Sequence, residues 1–307
     1  ATAGTNFNSF NDFLATVLNC GLDAATIVNV VSGSGPYVLS ADFPAIPGAS
    51  ATNTLTLNGN NNVINHGGGS YFLAMDGLKH VTINDFQFVN ETPNSQMFGI
   101  MMRNGCDSIT IKNNTIDLGT GYTSSASGGI VATNSTTSVF SYGNNANNVT
   151  IDSNHIIGGY YGVRLNGTNT TTRNQGHKVT NNTFEDFYNS GIYTYYVDST
   201  VISGNDISRA TRSTLSTFYG IYSYYNNNME ISNNKIHDAG NGSFSAYGMY
   251  FGYSTNIVGK ESNIFNNAIY NIAASFTFYG IYLYSYSSTI GKNTHINIWH
   301  NTVDMNT

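Results

Sequence analysis

The feature of this chain that most limits its possible folds is an eight-residue pattern that recurs along most of its length. Each copy alternates apolar residues with other residues, continues into an Asn and ends on another apolar residue. Alternation with period two is typical of a β-strand that buries one face. The pattern therefore predicts a repeat architecture, with its clearest copies at residues 109–116, 149–156, 229–236, 262–269 and 296–303.

The Asn residues of these copies and of weaker ones form a column when the repeats are aligned. They recur every 23 to 40 residues without a helical segment between them, which fits the coils of a solenoid. Their short amides tolerate left-handed turns, and coils about 4.8 Å apart would let them bond along the stack. We interpret the column as a structural ladder: Asn114, Asn154, Asn182, Asn205, Asn234, Asn267 and Asn301.

A column of glycines opens a second strand in each coil. The residue after each Gly is apolar and is expected to face the interior, so by alternation the next residue faces outward. The segments between these strands vary in length and are the expected loops. The column comprises Gly99, Gly129, Gly162, Gly191, Gly220, Gly248 and Gly280.

These patterns predict an all-β chain, a single-stranded right-handed parallel β-helix (a solenoid) with a short N-terminal capping helix. Residues 7–19 depart from the strand pattern, because Phe10, Phe13 and Val17 recur at helical spacing. We assign residues 1–27 to a cap with this amphipathic helix and residues 28–307 to roughly nine to ten coils. No capping pattern follows the last repeat strand, so we expect the β-helix to continue beyond the C-terminus.

Charge is scarce, since only 9% of the residues are charged and 17 acidic side chains face 11 basic ones. Without a basic stripe we expect no nucleic acid partner, and no apolar stretch is long enough for membrane insertion. Cys20 and Cys106 are too few for a disulfide framework or a four-thiolate metal site. Two separate thiols and a single bridge between them both stay open.

Three segments near the N-terminus are similar to the capping helix and first coil of large bacterial surface proteins. They are Phe10-Asn-Asp-Phe-Leu-Ala, Gly35-Pro-Tyr37-Val-Leu and the link at residues 46–57. Together with the repeats, they make the chain resemble the pectate-lyase-like superfamily of right-handed parallel β-helix repeat proteins over nearly its whole length. The resemblance implies a secreted or cell-surface location. This scaffold carries lyases, hydrolases, epimerases, adhesins and phage fibres alike, so it does not select an activity.

Catalytic groups of the β-helix lyases are sparse in this sequence. Such enzymes need an Arg or Lys base and usually calcium held by several carboxylates. The acids are scattered, with one per coil in or just after the Asn strands, at Asp117, Asp152, Asp206 and Asp238. Arg103 and Arg164 are expected to project outward from the Gly strands and are the candidate bases.

Histidine offers no clear alternative chemistry. His237 and Asp238 are adjacent, but neighbours on a strand point to opposite faces, so we interpret them as an ordinary surface pair. The histidines show no metal-ligand spacing. We assign no catalytic residue, no metal and no cofactor; calcium is compatible with the sequence but is not indicated.

The strongest functional signal is a set of tyrosines at the outward position of consecutive Gly strands. A flat, nearly uncharged aromatic surface of this kind would stack against sugar rings, while the phenols bond sugar hydroxyls. The alternative, in which aligned tyrosines only stabilise the sheet, stays open. The predicted binding residues are Tyr193, Tyr222, Tyr250 and Tyr282, a second column of Tyr195, Tyr224 and Tyr284, and Arg164 beside them.

Three functions follow as hypotheses. The first is a non-catalytic surface protein, an adhesin or fibre segment that binds a polysaccharide or another surface protein. The second is a polysaccharide lyase or hydrolase with its cleft beside Arg103 and Arg164, and the third is a structural filament subunit that self-associates end to end. In addition, Asp107-Ser108-Ile109 and Asp198-Ser199-Thr200 resemble a short O-glycosylation signal of some bacterial surface proteins, which makes Ser108 and Ser199 candidate acceptors.

Overall fold

The computed structural model describes residues 6–91, 96–286 and 292–304. They form the predicted all-β solenoid, in which two long parallel sheets enclose an apolar interior. The described part has one α-helix, Phe10–Cys20, near its N-terminal end. Residues 1–5 of the predicted cap lie outside the described ranges.

The helix is capped at both ends by its flanking residues. The Ser9 side chain accepts a hydrogen bond from the Asp12 backbone N–H, and Gly21 closes the C-terminal end with a positive φ. Phe13 and Val17 are buried, and the Phe13 ring lies against Phe43 in the first coils. The helix therefore covers part of the open end of the solenoid.

One sheet, here called the Gly sheet, takes one strand from each of nine coils. Successive strands pair in parallel and in register. Its strands are Ala41–Pro44, Tyr71–Asp76, Met97–Arg103, Ser127–Ala132, Tyr161–Asn166, Ser190–Tyr195, Phe218–Tyr224, Ala246–Gly252 and Phe278–Tyr284.

The other sheet, here called the Asn sheet, contains twenty described strands because most coils cross it in two pieces separated by the Asn bend. Its strands are Thr26–Asn29, Tyr37–Leu39, Leu55–His66, Lys79–Val89, Cys106–Lys112, Thr115–Asp117, Ala146–Asn147, Thr150–Asp152, His155–Ile157, Asn174–Gln175, Lys178–Thr180, Thr183–Glu185, Val197–Ser203, Asp206–Ile207, Asn227–Ser232, Lys235–His237, Ser262–Phe265, Ala268–Tyr270, Ile296–Trp299 and Thr302–Val303.

The Asn ladder is present as predicted and runs through all seven residues without interruption. Asn205 shows the arrangement: its Nδ2 donates to Asn234 Oδ1 at 2.9 Å and to the Val179 carbonyl at 2.8 Å. Its Oδ1 accepts from both the backbone N and the Nδ2 of Asn182, each at 3.0 Å. Each amide thus satisfies buried backbone groups of two coils and the amide of a third.

The left-handed turn expected of the ladder residues lies one residue earlier. Asn113, Asn181 and Asn233 have φ values of 55°, 55° and 57°, whereas the ladder residues that follow are absent from the left-handed region. The reason is that the turn residue points outward, while the next residue must point inward to reach the carbonyls that the bend leaves without partners. The ladder residues are accordingly buried, at 1–2% exposure for Asn114, Asn154, Asn182, Asn205, Asn234 and Asn267.

The Gly column exists because two backbones and an opposing side chain converge there. A Cβ added to Gly220 would lie 2.6 Å from the Gly248 carbonyl oxygen and 2.6 Å from Ile236 Cγ2. Since Gly220 and Ile221 both face the interior, Tyr219 and Tyr222 both face outward. The glycines therefore break the strict alternation of the Gly strands.

The two cysteines are free thiols, Cys20 exposed and Cys106 buried, so the two-thiol alternative holds. Burial raises the pKa of the Cys106 thiol. The more consequential buried group is His177, at 1% exposure, where burial lowers its pKa to about 4.

Replacing Asn205 with Ala should destabilise the protein by about 3 kcal/mol, because several buried hydrogen-bonding groups lose their partners. Asn84 provides a matched control, since it also bonds to Asn residues of the coils before and after it but on the outer surface. We expect Asn84→Ala to cost less than about 1 kcal/mol in chemical denaturation. Equal losses in the two variants would contradict the structural role of the inner ladder.

Acid should destabilise the fold through His177. The unfolded side chain takes up a proton near pH 6.5, whereas the buried one resists it until about pH 4. Stability is therefore complete above pH 6.5 and falls as the pH drops, by about 3 kcal/mol at pH 4. Denaturation midpoints at pH 7.5, 5 and 4 would measure this. The variant His177→Met introduces the residue type that Met229 already supplies in the same column. It should make stability depend less on pH, and an unchanged acid dependence would contradict the assignment.

Candidate functional site

The outward tyrosines of the Gly sheet form a continuous surface, here called the Tyr face. Tyr193, Tyr222, Tyr250 and Tyr282 lie in register on four consecutive strands, as predicted. The ring centroids of Tyr193 and Tyr222 are 4.5 Å apart with planes 7° from parallel, and those of Tyr222 and Tyr250 are 4.6 Å apart at 2°. The column is a stack of rings along the solenoid axis.

This stacking corrects the expected mode of contact. Both ring faces of Tyr222 are covered by Tyr193 and Tyr250, so a sugar ring cannot lie flat on them. The rings stand upright because their strands are closer together than a ring is wide. The half-buried column consequently presents ring edges and hydroxyl groups to the solvent.

The second predicted column is interrupted. Tyr195 stacks on Tyr224 at 5.4 Å, but Gly252 occupies the next position in register, and Tyr284 follows it. Tyr224 instead approaches Tyr250 of the first column at 6.3 Å. The two columns therefore merge into one surface.

Two further columns belong to the Tyr face and were missed. Both flank the predicted positions. One precedes the Gly column, with Tyr219 to Tyr247 at 4.9 Å and Tyr247 to Tyr279 at 5.2 Å. The other follows the strand end in left-handed turns and comprises Tyr196, Tyr225 and Tyr253. The repeated Tyr-Gly and Tyr-Tyr dipeptides were a usable signal, but the predicted strands began at the Gly and gave no orientation to the Tyr before it or to the Tyr after the strand end.

The phenols of Tyr219, Tyr222 and Tyr250 stay protonated over the physiological range. Burial raises the pKa of Tyr219 to about 12. Burial first, and neighbouring phenols second, also raise the pKa of Tyr222 and Tyr250 above the ordinary value of 10.0. Apart from Gly252, the outward positions of the two predicted columns from Tyr193 to Tyr284 are Tyr, so the face is a neutral grid of hydroxyl donors and acceptors.

Arg164 does not lie on the exposed surface, and this prediction is wrong. It occupies the outward position next to Tyr193, but it is fully buried. Its Nε donates to the Val139 carbonyl and to Asn166 Oδ1, each at 3.0 Å. The guanidinium carbon lies 4.0 Å from the Tyr193 ring centroid, so Arg164 closes the N-terminal end of the ring stack as a cation–π partner.

The loop at residues 133–145 is the reason for that burial. It lies over the outer side of the Gly sheet, where Met101, Val131 and Val139 pack into a small apolar cluster at 0% exposure. Tyr142 of the same loop stacks on Tyr195 at 4.9 Å. The Tyr face therefore begins where this cover ends.

Arg103, the second candidate base, is also engaged. Its guanidinium forms an ion pair with Asp76 at 3.0 Å and a longer one with Asp42 at 3.5 Å. These contacts tie the guanidinium to carboxylates of the two preceding strands of the Gly sheet. Neither arginine is thus placed as the base that the lyase hypothesis requires.

His237 and Asp238 meet, contrary to the expectation that they point apart. Asp238 follows the strand in a left-handed conformation, at φ 47°, so strand alternation does not apply to it. His237 Nδ1 lies 2.6 Å from Asp238 Oδ2, and Nε2 lies 2.7 Å from Asp206 Oδ1. Because both ring nitrogens are occupied by carboxylates, neither is free to exchange a proton with a substrate.

The remaining acids do not converge on a cation. Over the described ranges, no three His, Cys, Asp or Glu side chains are arranged to hold a metal ion. Two buried arginines were not anticipated: Arg209 donates to the Ala239 carbonyl at 2.9 Å, and Arg212 to the Asp186 carbonyl at 2.7 Å. They fasten the loop at residues 209–217 to the coils. The sequence around them does not indicate that they are buried.

The two candidate glycosylation serines occupy equivalent left-handed turns, with φ 55° at Ser108 and 51° at Ser199. Each hydroxyl donates to the carboxylate of the preceding Asp, at 2.7 Å and 2.6 Å. Ser199 is exposed and Ser108 partly so.

Comparison with known proteins agrees with this geometry. A family model described as a right-handed β-helix region matches residues 141–303. Among solved structures, tailspike protein 2 of the Escherichia coli O157:H7 bacteriophage CAB120 is 13% identical, with a TM-score of 0.50 over 97% of this chain and 45% of that one. The surface adhesin PfbA of Streptococcus pneumoniae is 14% identical, with a TM-score of 0.48 over 82% of this chain and 69% of that one. At these identities the likeness concerns the fold.

No curated protein matches the chain at the level of sequence. In the part of the chain that the structure describes, no helix has the length and apolar character needed to span a bilayer.

Proposed function

The chain belongs to the family of right-handed β-helix regions, and from that premise we propose that it is a non-catalytic extracellular protein whose Tyr face binds a neutral polysaccharide. The observation that carries the proposal is the stacked, uncharged surface of Tyr193, Tyr222, Tyr250 and their neighbours. A surface built from one amphipathic residue type, repeated over four coils, exceeds what sheet packing alone requires. Exposed aromatic surfaces of this extent commonly mark an interaction site.

The exposed groups favour a hydroxyl-rich ligand. Ring faces are occupied within the stacks, so recognition depends on phenol hydroxyls that repeat about every 4.8 Å along the axis. Each phenol can both donate and accept a hydrogen bond, as sugar hydroxyls do. The ring edges carry partial positive charge, which suits contact with sugar oxygens.

The size of the Tyr face favours a linear polymer over a globular partner. Four coils about 4.8 Å apart, crossed by strands of about six residues, give an area of about 400 Å². A standard protein interface buries about 800 Å² on each partner. A second surface protein would therefore need contacts beyond the Tyr face.

The absence of charge on the Tyr face selects between classes of glycan. An acidic polysaccharide gains nothing from neutral phenols. Arg164 is buried behind Tyr193, and Arg173, at the edge of the face, donates to the Tyr225 carbonyl at 3.0 Å. We expect binding to neutral glycans that changes little with salt concentration, since screening acts on charges.

The hydroxyl contribution can be tested with Phe variants that keep the ring stack. Tyr222→Phe combined with Tyr250→Phe should weaken glycan binding about ten-fold, the effect of losing two hydrogen bonds. A glycan array followed by titration calorimetry on the best neutral glycan would measure this. Tyr270→Phe on the Asn sheet, where Tyr270 stacks on His237, is the matched control.

Unchanged affinity in the double variant would rule out recognition through these hydroxyls. Release of shortened or unsaturated products from a bound glycan would instead support the lyase or hydrolase alternative. End-to-end self-association remains a separate prediction, measured by the dependence of particle length on protein concentration.

Surface glycosylation is a second part of the proposal. Ser108 and Ser199 share one turn position, and their hydroxyls lie at the surface beside an Asp carboxylate. We expect protein purified from its native source to carry glycan mass on the peptides containing these serines, with the nearby Ser203 unmodified as a control. Unmodified peptides at both sites would argue against it.

A further inference from the structure

The tyrosines around the Tyr face form a single connected network of rings. Adjacent ring centroids lie 4.4 to 5.6 Å apart along the connecting contacts. The network includes rings beyond the binding columns, among them one from the covering loop. Its members are Tyr142, Tyr160, Tyr161, Tyr188, Tyr193, Tyr195, Tyr196, Tyr219, Tyr222, Tyr224, Tyr225, Tyr247, Tyr250, Tyr253, Tyr279, Tyr282 and Tyr284.

We propose that the Tyr face is a site of oxidative cross-linking, at which a one-electron oxidant joins tyrosines of neighbouring coils as dityrosine. This inference goes beyond glycan binding and does not depend on it. It rests on the distance between the rings and on their orientation.

The distances select the reacting pairs. Coupling joins the carbon atoms next to the phenol oxygen, so two rings must approach edge to edge or slide across one another. Tyr193–Tyr222 and Tyr222–Tyr250 are the closest pairs between coils, and both are nearly parallel. Parallel rings on aligned strands lie side by side, and turning both rings about their Cβ–Cγ bonds moves the carbons next to the two phenol oxygens toward each other.

The chemistry balances with hydrogen peroxide as the terminal oxidant and a haem peroxidase as the catalyst. Two phenols each give up one electron to the peroxidase and one proton to water, and become phenoxyl radicals. The two radicals form one carbon–carbon bond. Tautomerisation then moves the two hydrogens from the bonded ring carbons to the phenol oxygens. The electrons and two protons reduce one peroxide to two water molecules.

The connected rings make pairing efficient. A radical formed on any exposed member can exchange an electron with a neighbouring ring, so it moves through the network. Two radicals on one molecule therefore meet within it rather than waiting for a second molecule. Tyr37, in contrast, contacts Phe10 and Ser34 and no described Tyr ring, so a radical there has no such partner.

The experiment uses the full chain with horseradish peroxidase and limiting peroxide at low protein concentration. Tryptic digestion separates the expected partners, because Arg212 lies between Tyr193 and Tyr222, and Lys235 lies between Tyr222 and Tyr250. Mass spectrometry should identify cross-linked peptides that pair neighbouring coils. A mixture of ¹⁵N-labelled and unlabelled protein distinguishes cross-links within one molecule from those between molecules.

Tyr222→Phe should reduce the dityrosine of this column several-fold, because Phe keeps the ring stack but has no phenol to oxidise. Tyr37→Phe is the matched control and should leave the yield unchanged. Cross-links that are mostly between molecules, oxidation at Tyr37 and Tyr270 equal to that in the network, or an unchanged yield in Tyr222→Phe would each overturn the proposal.

Discussion

The rest of the structure depends on how each coil satisfies the backbone at its Asn bend. A chain that bends sharply inside a solenoid leaves buried carbonyl and N–H groups without strand partners, and the inward amide supplies them. Asn205 does this for the backbone of two coils and bonds to the amide of a third. Because each amide also bonds to the next, the ladder fixes the register of the coils. A register fixed at the Asn bend is what brings Tyr193, Tyr222 and Tyr250 into one stack on the opposite sheet.

The ladder, the Gly column and the inward Ile positions could be predicted because they follow from period and spacing alone. The column from Asn114 to Asn301 is found by aligning the repeats in the sequence, and its spacing fits the coils of a parallel solenoid. The left-handed residue could not be assigned to Asn113 rather than to Asn114, because both are Asn and either satisfies a local turn rule. The two residues differ only in the folded chain, where one of them must point inward to bond to the buried carbonyls.

The site was predicted less completely, for two physical reasons. A repeat pattern does not show which loop packs over which strand. The burial of Arg164 against Tyr193 by a loop could therefore not be predicted. The predicted strand also began at Gly220 and therefore gave no orientation to Tyr219. The orientation of the rings followed from neither pattern: strands in parallel register force the tyrosines upright, which changes the expected contact from ring faces to hydroxyl edges.

The continuous inner ladder begins at Asn114, whose Oδ1 accepts a hydrogen bond from the Phe86 backbone N–H. Phe86 occupies the ladder position of the coil before Asn114. As a mechanical element, the solenoid is a series of interfaces, each carrying axial tension through two sheets and, wherever the inner position is Asn, through its amide as well. Asn62 bonds in this way to the Val31 carbonyl and the Gly35 N–H of the coil before it. Elements in series yield at the weakest interface. The coil of Phe86 has no inner amide of its own, so its interface with the coil before it depends instead on the long paired strands Leu55–His66 and Lys79–Val89 and on outer bonds such as that from Asn84 Nδ2 to Asn58 Oδ1.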